Sequence, residues 1–487
     1  MTDPTPPRWR TALWRGETAP IPVVRTPTRA VYPRRRPGEH AELAEVDQGA
    51  SLALRVGTLL LAGGAPTEDV EAAIFAVGTA VGLGVFEVDI TYSSIIISVS
   101  PDGGRPALTD MRVVRGRSTH FARVAAAHQL VLDLAEGRIA PTEVEHRLSQ
   151  IEHLRRPYPR WFVIAAFGAL SASITVQLGG SFYTALVAFT AASLSGILGN
   201  RMTRMRVPTF FVNLVLAFGS ALVAVVVTAN QNSLESLHIK TPLVIVGGII
   251  ALLPGMTLMV AAQEAIGSFA VTAAARLVEL TFATIGIVSG VLLGLVLADQ
   301  LNVTMEVAVR PGNNALQATA AALAACIAAV FAAVTYQSPM RLALTGGALA
   351  GIGYFVYLWT SGQIDVADPN AAPPGVATAG PAVATGVAAL LIGFLSGVLA
   401  RRLRIPPVQL TAAGIIPLLP GLAVYEGLLS LSRNAVDKGL ASLVEATAVA
   451  IALAAGVLLG QLVAGRLMQS PLRAFIPQRA QRNDHYR

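Results

Sequence analysis

The stretch Gly248-Ile249-Ile250-Ala251-Leu252-Leu253-Pro254-Gly255 recurs without a gap as Gly414-Ile415-Ile416-Pro417-Leu418-Leu419-Pro420-Gly421. The same offset of 166 residues (248 to 414) carries Leu277-Val278-Glu279 onto Leu443-Val444-Glu445, and Gly290-Val291-Leu292-Leu293-Gly294 onto Gly456-Val457-Leu458-Leu459-Gly460. Both copies lie in apolar sequence long enough to cross a bilayer. Strings such as GVLLG recur by chance in any Leu-, Val- and Gly-rich chain. Chance is a poorer account of one offset held through a Pro-Gly pair and a membrane glutamate. A duplicated membrane unit with a helix break inside a span is how many secondary transporters are built.

Composition bounds the class. The chain has 487 residues, 53% hydrophobic and 13% charged, with a mean hydropathy of +0.59, too apolar for a soluble protein of this length. Most of the charge falls before residue 160, which predicts a soluble front end followed by a polytopic membrane part. The net charge of +7 does not indicate nucleic acid, because the arginines cluster beside apolar spans, as membrane orientation requires. Cys326 is the single cysteine, so neither a disulfide framework nor a cysteine metal site is expected. No cleavable signal peptide is visible, and the N-terminus is expected in the cytosol of a bacterial cell.

Residues 1–45 are rich in Pro, Arg and Thr without apolar periodicity and read as a disordered basic tail. Residues 46–155 read as a small α+β cytosolic domain. Leu52, Leu54, Val56, Leu59 and Leu60 predict a helix ended by Gly63-Gly64, and Thr67 is placed to cap the next one. The β-branched runs at 85–91 and 94–99 predict strands, with a turn at Pro101-Asp102-Gly103-Gly104 and a third strand near Arg112-Val113-Val114. Helices over about 119–135 and 141–153 follow, separated at Gly137. Asp89 stands inside a strand; a functional carboxylate there competes with an ordinary exposed one, which is the commoner case. His120 and His128 lack the spacing of a metal pair, and no metal site is expected.

Ten spans are predicted, near 161–179, 182–200, 208–229, 242–262, 277–298, 315–335, 342–360, 380–400, 408–429 and 442–464. Ten crossings from a cytosolic N-terminus put Arg201, Arg204 and Arg206, then Arg401, Arg402 and Arg404, then Arg466 and the 467–487 tail all inside, as the positive-inside rule demands. The loops assigned outside carry Glu235, Asp299, Glu306, Asp365 and Asp368. Five spans per half make 161–298 and 315–466 two repeats of inverted topology. Pro254, Gly255, Pro420 and Gly421 break equivalent spans, freeing backbone groups where no lipid can satisfy them. Glycines four apart (Gly286, Gly290, Gly294; Gly393, Gly397; Gly456, Gly460) read as close-packing ridges.

Ionisable groups at mid-bilayer cost about 2.5–3.5 kcal/mol or more, so the few present need a reason. Gln263 and Glu264 fall at the inner end of span four, Arg276 and Glu279 at the inner start of span five, Asn213 in span three, Glu426 in span nine and Glu445 in span ten. No histidine lies in a span, which leaves carboxylates as candidate proton carriers. Arg276 and Glu279 can pair at i, i+3 simply to lower their burial cost. Alternatively, Arg276 holds a substrate carboxylate, a glutamate its ammonium, and Asn213 or Gln263 its hydroxyl.

The chain resembles the threonine/serine exporter family over about residues 48–466. The residues that carry this are Leu61-Ala62-Gly63-Gly64-Ala65, Val88-Asp89-Ile90-Thr91, Pro208-Thr209-Phe210-Phe211 with Asn213, Gln263-Glu264, and Val271-Thr272-Ala273-Ala274-Ala275-Arg276 with Glu279. In the second half they are Leu399-Ala400-Arg401-Arg402, Ile405-Pro406-Pro407 and Leu419-Pro420-Gly421-Leu422-Ala423-Val424-Tyr425. The resemblance implies export of L-threonine and L-serine across the bacterial inner membrane, driven by the proton motive force without a cofactor. It extends to Gln263, Glu264, Arg276 and Glu279, and does not clearly support Glu426 or Glu445. A small amino acid and the bilayer are the expected partners; oligomeric state is left open. Two rival readings are a membrane-anchored hydrolase working through Asp89 and a lipid scramblase, whose polar groove would face lipid.

Overall fold

The computed structural model describes residues 43–100, 108–114, 120–230, 237–303, 315–362 and 380–467. The basic tail up to residue 42, the turn at Pro101-Gly104, the loop acids Glu235, Glu306, Asp365 and Asp368, and the tail from 468 onward lie outside the described residues.

In the N-terminal domain, α1 (Leu43–Ala62) ends where Gly64 adopts φ +86°. There the Ala65 N–H reaches back to the Leu60 carbonyl and Gly63 to that of Leu59, closing the helix end in the conformation that glycine allows without penalty. Next comes α2 (Thr67–Ala80), whose N-cap residue is Pro66 with no side-chain cap. Thr67 therefore does not cap it, contrary to the sequence expectation; its hydroxyl is directed to another partner. Strands β1 (Val85–Ile90), β2 (Ser94–Ser100) and β3 (Leu108–Val113) form one antiparallel sheet in that order, with Val88 opposite Ile97 and Ile97 opposite Asp110. The two-residue period of β2 buries Ile95, Ile97 and Val99 on one face. They join Leu54, Leu60, Ile74, Leu134 and Leu148 from α1, α2, α3 (Phe121–Ala135) and α4 (Pro141–Glu152) in a single core. Each such side chain contributes about 1.5–3 kcal/mol of burial.

The described residues from Arg160 onward form a helical bundle. Its members are α5 (Arg160–Gln177), α6 (Phe182–Arg204), α7 (Thr209–Ala229), α8 (Thr241–Leu252), α9 (Gly255–Ile266) and α10 (Ala270–Gln300). After these come α11 (Ala315–Thr335), α12 (Met340–Thr360), α13 (Pro381–Leu403), α14 (Val408–Gly414), a 3-10 turn over Ile416–Leu418, α15 (Gly421–Ser432) and α16 (Val436–Leu467). Eight of these helices are individually long and apolar enough to cross a membrane. The count reaches ten if the bent pair α8–α9, at 43°, and the pair α14–α15, at 42°, each make one span. Alone, the twelve residues of α8 cover about 18 Å, short of the roughly 30 Å of hydrocarbon. Helices α10 and α16 begin at Ala270 and Val436 rather than at 277 and 442. Arg276, Glu279, Asp437 and Lys438 depress the local hydropathy without interrupting the backbone.

Both breaks share one local geometry. Pro254 (φ −80°, ψ 59°) and Pro420 (φ −80°, ψ 44°) each let the following glycine N–H bond the carbonyl two residues back, Gly255 to Leu253 at 2.9 Å and Gly421 to Leu419 at 2.8 Å. This is an inverse γ-turn. The breaks also meet each other. A Cβ on Gly255 would touch Leu419, and one on Gly421 would collide with Ile250. Residues before one break thus face residues after the other, so the two broken segments cross antiparallel.

Helix pairings recur along the chain: α5 packs on α6 and α11 on α12, α9 on α10 and α15 on α16, α7 on α10 and α13 on α16, with α5 on α11 joining the halves. The pairs α7–α10 and α13–α16 run parallel on glycines. A Cβ at Gly290 would lie 2.2 Å from the Leu214 carbonyl oxygen, and one at Gly460 2.1 Å from that of Leu390. Backbone cannot step aside as a side chain can. Gly290→Ala and Gly460→Ala are each expected to destabilise the purified protein by about 1–3 kcal/mol, through the cost of overpacking, read as a lower thermal midpoint in detergent.

Candidate functional site

A tight turn at Gly267–Phe269, with Ser268 at φ +69°, reverses the chain between α9 and α10. The reversal sets Glu264 against Arg276, whose Nε donates to Oε2 at 2.6 Å. Both side chains are sealed off, at 1% and 2% exposure. The other oxygen, Oε1, accepts the hydroxyl of Thr67 at 2.8 Å, and Thr67 itself is 0% exposed. Arg276 Nη2 is buried without a hydrogen-bond partner among the described residues. A buried pair of this kind adds little stability, because desolvation offsets the attraction, but removing one partner is costly. An unused guanidinium N–H beside it is a ready donor for an anion.

One residue earlier, Gln263 Nε2 donates to Gln461 Oε1 at 2.5 Å, tying α9 to α16. Gln263 Oε1 and Gln461 Nε2 are buried and unpartnered among the described residues. At the second break, Gln177 Nε2 on α5 satisfies the Pro417 carbonyl at 2.9 Å, one of the backbone groups freed from helical bonding.

Of the predicted site residues the structure brings Glu264 and Arg276 into contact; Gln263, the preceding residue of α9, bonds Gln461 on α16 instead, and the others lie elsewhere. Arg276 pairs with Glu264, not with Glu279. The latter is exposed and accepts the Tyr92 hydroxyl of the β1–β2 turn at 2.7 Å. At i, i+3 the two side chains are neighbours on α10, but each is engaged elsewhere: Arg276 turns inward to Glu264, and Glu279 stays at the exposed edge with Tyr92. Asn213 donates to the Ala283 carbonyl at 3.2 Å and ties α7 to α10. Glu445 precedes Gln461 by sixteen residues of α16, about 24 Å of helix. Glu426 stands at the same distant level, because the neighbouring Gly427 packs on Leu443. Asp89 is exposed on β1. Sequence reasoning missed Thr67, Gln177 and Gln461. The two glutamines were detectable as amides in apolar spans; Thr67 carried no such signal.

The N-terminal domain docks on the bundle end that holds the Glu264–Arg276 pair. Phe121 N–H donates to Tyr336 O and Ala122 N–H to Gln337 O, while Gln409 Nε2 donates to Phe121 O. Arg404, closing α13 in the left-handed region, donates to Asp133 at 2.7 Å and Glu136 at 2.9 Å. A cleft of about 240 Å³ in this domain is lined by Arg55, Thr58, Arg112, His120, Arg123 and Glu152. Most of its groups are already engaged: Arg55 with Glu152, Arg123 with the Leu154 carbonyl, Arg112 with Ser51, and the Thr58 hydroxyl with Leu54 O. His120 Nδ1 accepts the Arg123 N–H, and its Nε2 is buried without a partner among the described residues. No activated nucleophile is found among them.

Comparison with known proteins completes the picture. Residues 51–298 match the family profile described as "Putative threonine/serine exporter", and residues 321–463 the one described as "Threonine/Serine exporter, ThrE". The chain belongs to the threonine/serine exporter family. It is 31% identical to the "Probable threonine/serine exporter" of Mycobacterium tuberculosis, across 95% of this chain and 84% of that one. Identity with the "Threonine/serine exporter" of Corynebacterium glutamicum is 33%, across 91% and 86%. A "Probable succinate transporter subunit YjjP" of Klebsiella aerogenes is 24% identical over 52% of this chain and 96% of its own length. No solved structure matches. These exporter relatives fit a multi-pass membrane transporter and not an enzyme; neither the hydrolase nor the scramblase reading gains support from them.

Proposed function

We propose that this member of the family exports L-threonine- and L-serine-type amino acids from the cytosol by proton antiport. The observation that carries the reading is Arg276 Nη2, a buried guanidinium donor with no partner among the described residues, beside Glu264. Arg276 takes the substrate carboxylate. Glu264 holds either a proton or the substrate ammonium, and the unpartnered amide atoms of Gln263 and Gln461 meet the side-chain hydroxyl.

The domain-capped end is assigned to the cytosol of the inner membrane. Arg201 and Arg204 close α6, Arg401 and Arg402 close α13, and Arg466 closes α16, all on that side of a ten-span arrangement. Two further observations support inverted five-helix repeats. The broken segments cross antiparallel. Moreover, Gln263–Gln461 sets the end of α16 beside the end of α9, where α10 begins; the equivalent helices α10 and α16 therefore run in opposite senses. Exchange of conformations between such halves gives alternating access to a shared site.

Cells lacking other threonine exporters, preloaded with radiolabelled threonine, test the function. Expression of this chain is expected to speed efflux, with serine competing and alanine competing poorly. Efflux unchanged by expression in cells that carry the protein in the membrane overturns the proposal.

A further inference from the structure

The turn between α1 and α2 does something that a linker has no need to do. All of Gly63, Gly64, Ala65, Pro66 and Thr67 are buried. The Thr67 hydroxyl, which could have capped its own helix, instead donates to Glu264. Three residues further back, a Cβ on Gly64 would lie 2.8 Å from the Met256 methyl, directly after the Pro254–Gly255 break. Met256, Val260 and Glu264 share one face of α9 at intervals of four residues. The turn therefore lies along this face for about 12 Å, eight residues at 1.5 Å each, between the capped end of the bundle and the crossing of the broken segments.

We infer that the Gly63–Thr67 turn is a tethered competitor of the substrate: Thr67 presents a threonine side chain to Glu264, and the domain behind it closes the cytosolic mouth. The inference rests on the placement of the substrate site at Glu264 and Arg276. A carboxylate sealed in the bundle needs donors on both oxygens. With the domain docked, Arg276 supplies one and the Thr67 hydroxyl the other. Withdrawal of the turn leaves Oε1 open, and a substrate ammonium or hydroxyl replaces what was lost. The docking bonds reach both halves of the bundle, through Tyr92 to Glu279 on α10 and through Arg404 from α13. Rearrangement of the helix ends thus has to loosen the domain, and substrate and turn exclude each other. The turn makes Thr67 a positioning residue for Glu264 that sets the substrate concentration at which export begins.

The test is the Thr67→Val variant, which keeps the shape and removes the donor, assayed in proteoliposomes for threonine concentration dependence. Competition by the turn reduces the fraction of transporter ready to bind. Its loss is expected to lower the apparent KM roughly tenfold, the weight of one hydrogen bond to a charged group, with maximal rate kept; Thr67→Ser should behave as wild type. A merely structural role predicts lower maximal rate and lower thermal midpoint with KM unmoved, and that result overturns the inference. As a second measurement, Gly64→Cys with Met256→Cys in a Cys326→Ser background, bridged by a short bifunctional methanethiosulfonate that forms a disulfide to each cysteine, is expected to stop export until both disulfides are reduced. Export that continues through the bridged protein also overturns it. Glu264→Gln separates the two ideas: a Glu264→Gln protein that transports normally removes the site itself, whereas its failure alongside an unaltered Thr67→Val KM removes only the tether.

Discussion

Glu264→Gln and Arg276→Gln each abolish threonine efflux and destabilise the protein by about 3–5 kcal/mol, because each leaves its partner uncompensated in a buried setting. The guanidinium cannot shed its charge, so Glu264→Gln exposes the larger electrostatic cost. The double variant separates folding from function. With both charges gone, two amides can bond each other and the Thr67 hydroxyl, and replacement of a buried pair by neutral groups is often close to neutral in stability. Thermal unfolding in detergent should therefore recover most of the loss in the double variant, while efflux remains absent. A double variant that exports threonine would remove the pair from the transport step.

The second large effect is expected at the crossing of the broken segments. Gly421→Val places a branched side chain where a single Cβ would already be 2.1 Å from Ile250 Cγ1. Ile250 is buried at 5% exposure and has little room to yield. Overpacking of this sort costs about 1–3 kcal/mol, and here the strain bears on the joint between the two broken segments. Efflux is expected to fall below about a tenth of wild type, which corresponds to roughly 1.4 kcal/mol in the balance of conformations. Ile250→Ala added to Gly421→Val reopens the space and should restore a substantial part of the rate. If the double variant stays inactive while folding normally, the crossing is not where the halves move on each other.

Much of the membrane fold was legible because hydrocarbon leaves few options. Apolar runs of about twenty residues gave the spans, and Pro254-Gly255 and Pro420-Gly421 gave the breaks, since proline removes a helical donor wherever it stands. The sheet was readable from its β-branched alternation, and Gly64 and Gly137 from their role at helix ends. The site was legible only in part. Glu264 and Arg276 stood out as charges in apolar sequence, but their pairing did not, because twelve residues and a reversal of direction separate them. Local spacing favoured Glu279, but Tyr92 of the docked domain holds that carboxylate at the exposed edge, while Arg276 pairs inward with Glu264. Thr67 was invisible for a different reason: before α2 a threonine reads as a cap, and only tertiary contact redirects its hydroxyl. Asn213 shows the converse, a polar group in a span whose work is to tie two helices together.

Purified protein in proteoliposomes, oriented with its N-terminal domain inside and loaded with radiolabelled threonine, tests coupling at Glu264 most directly. An acidic exterior should accelerate wild-type efflux, a protonophore should cancel the acceleration, and Glu279→Gln should retain it. Efflux indifferent to the imposed gradient, or a Glu264→Gln protein that responds to it like the wild type, would contradict the account.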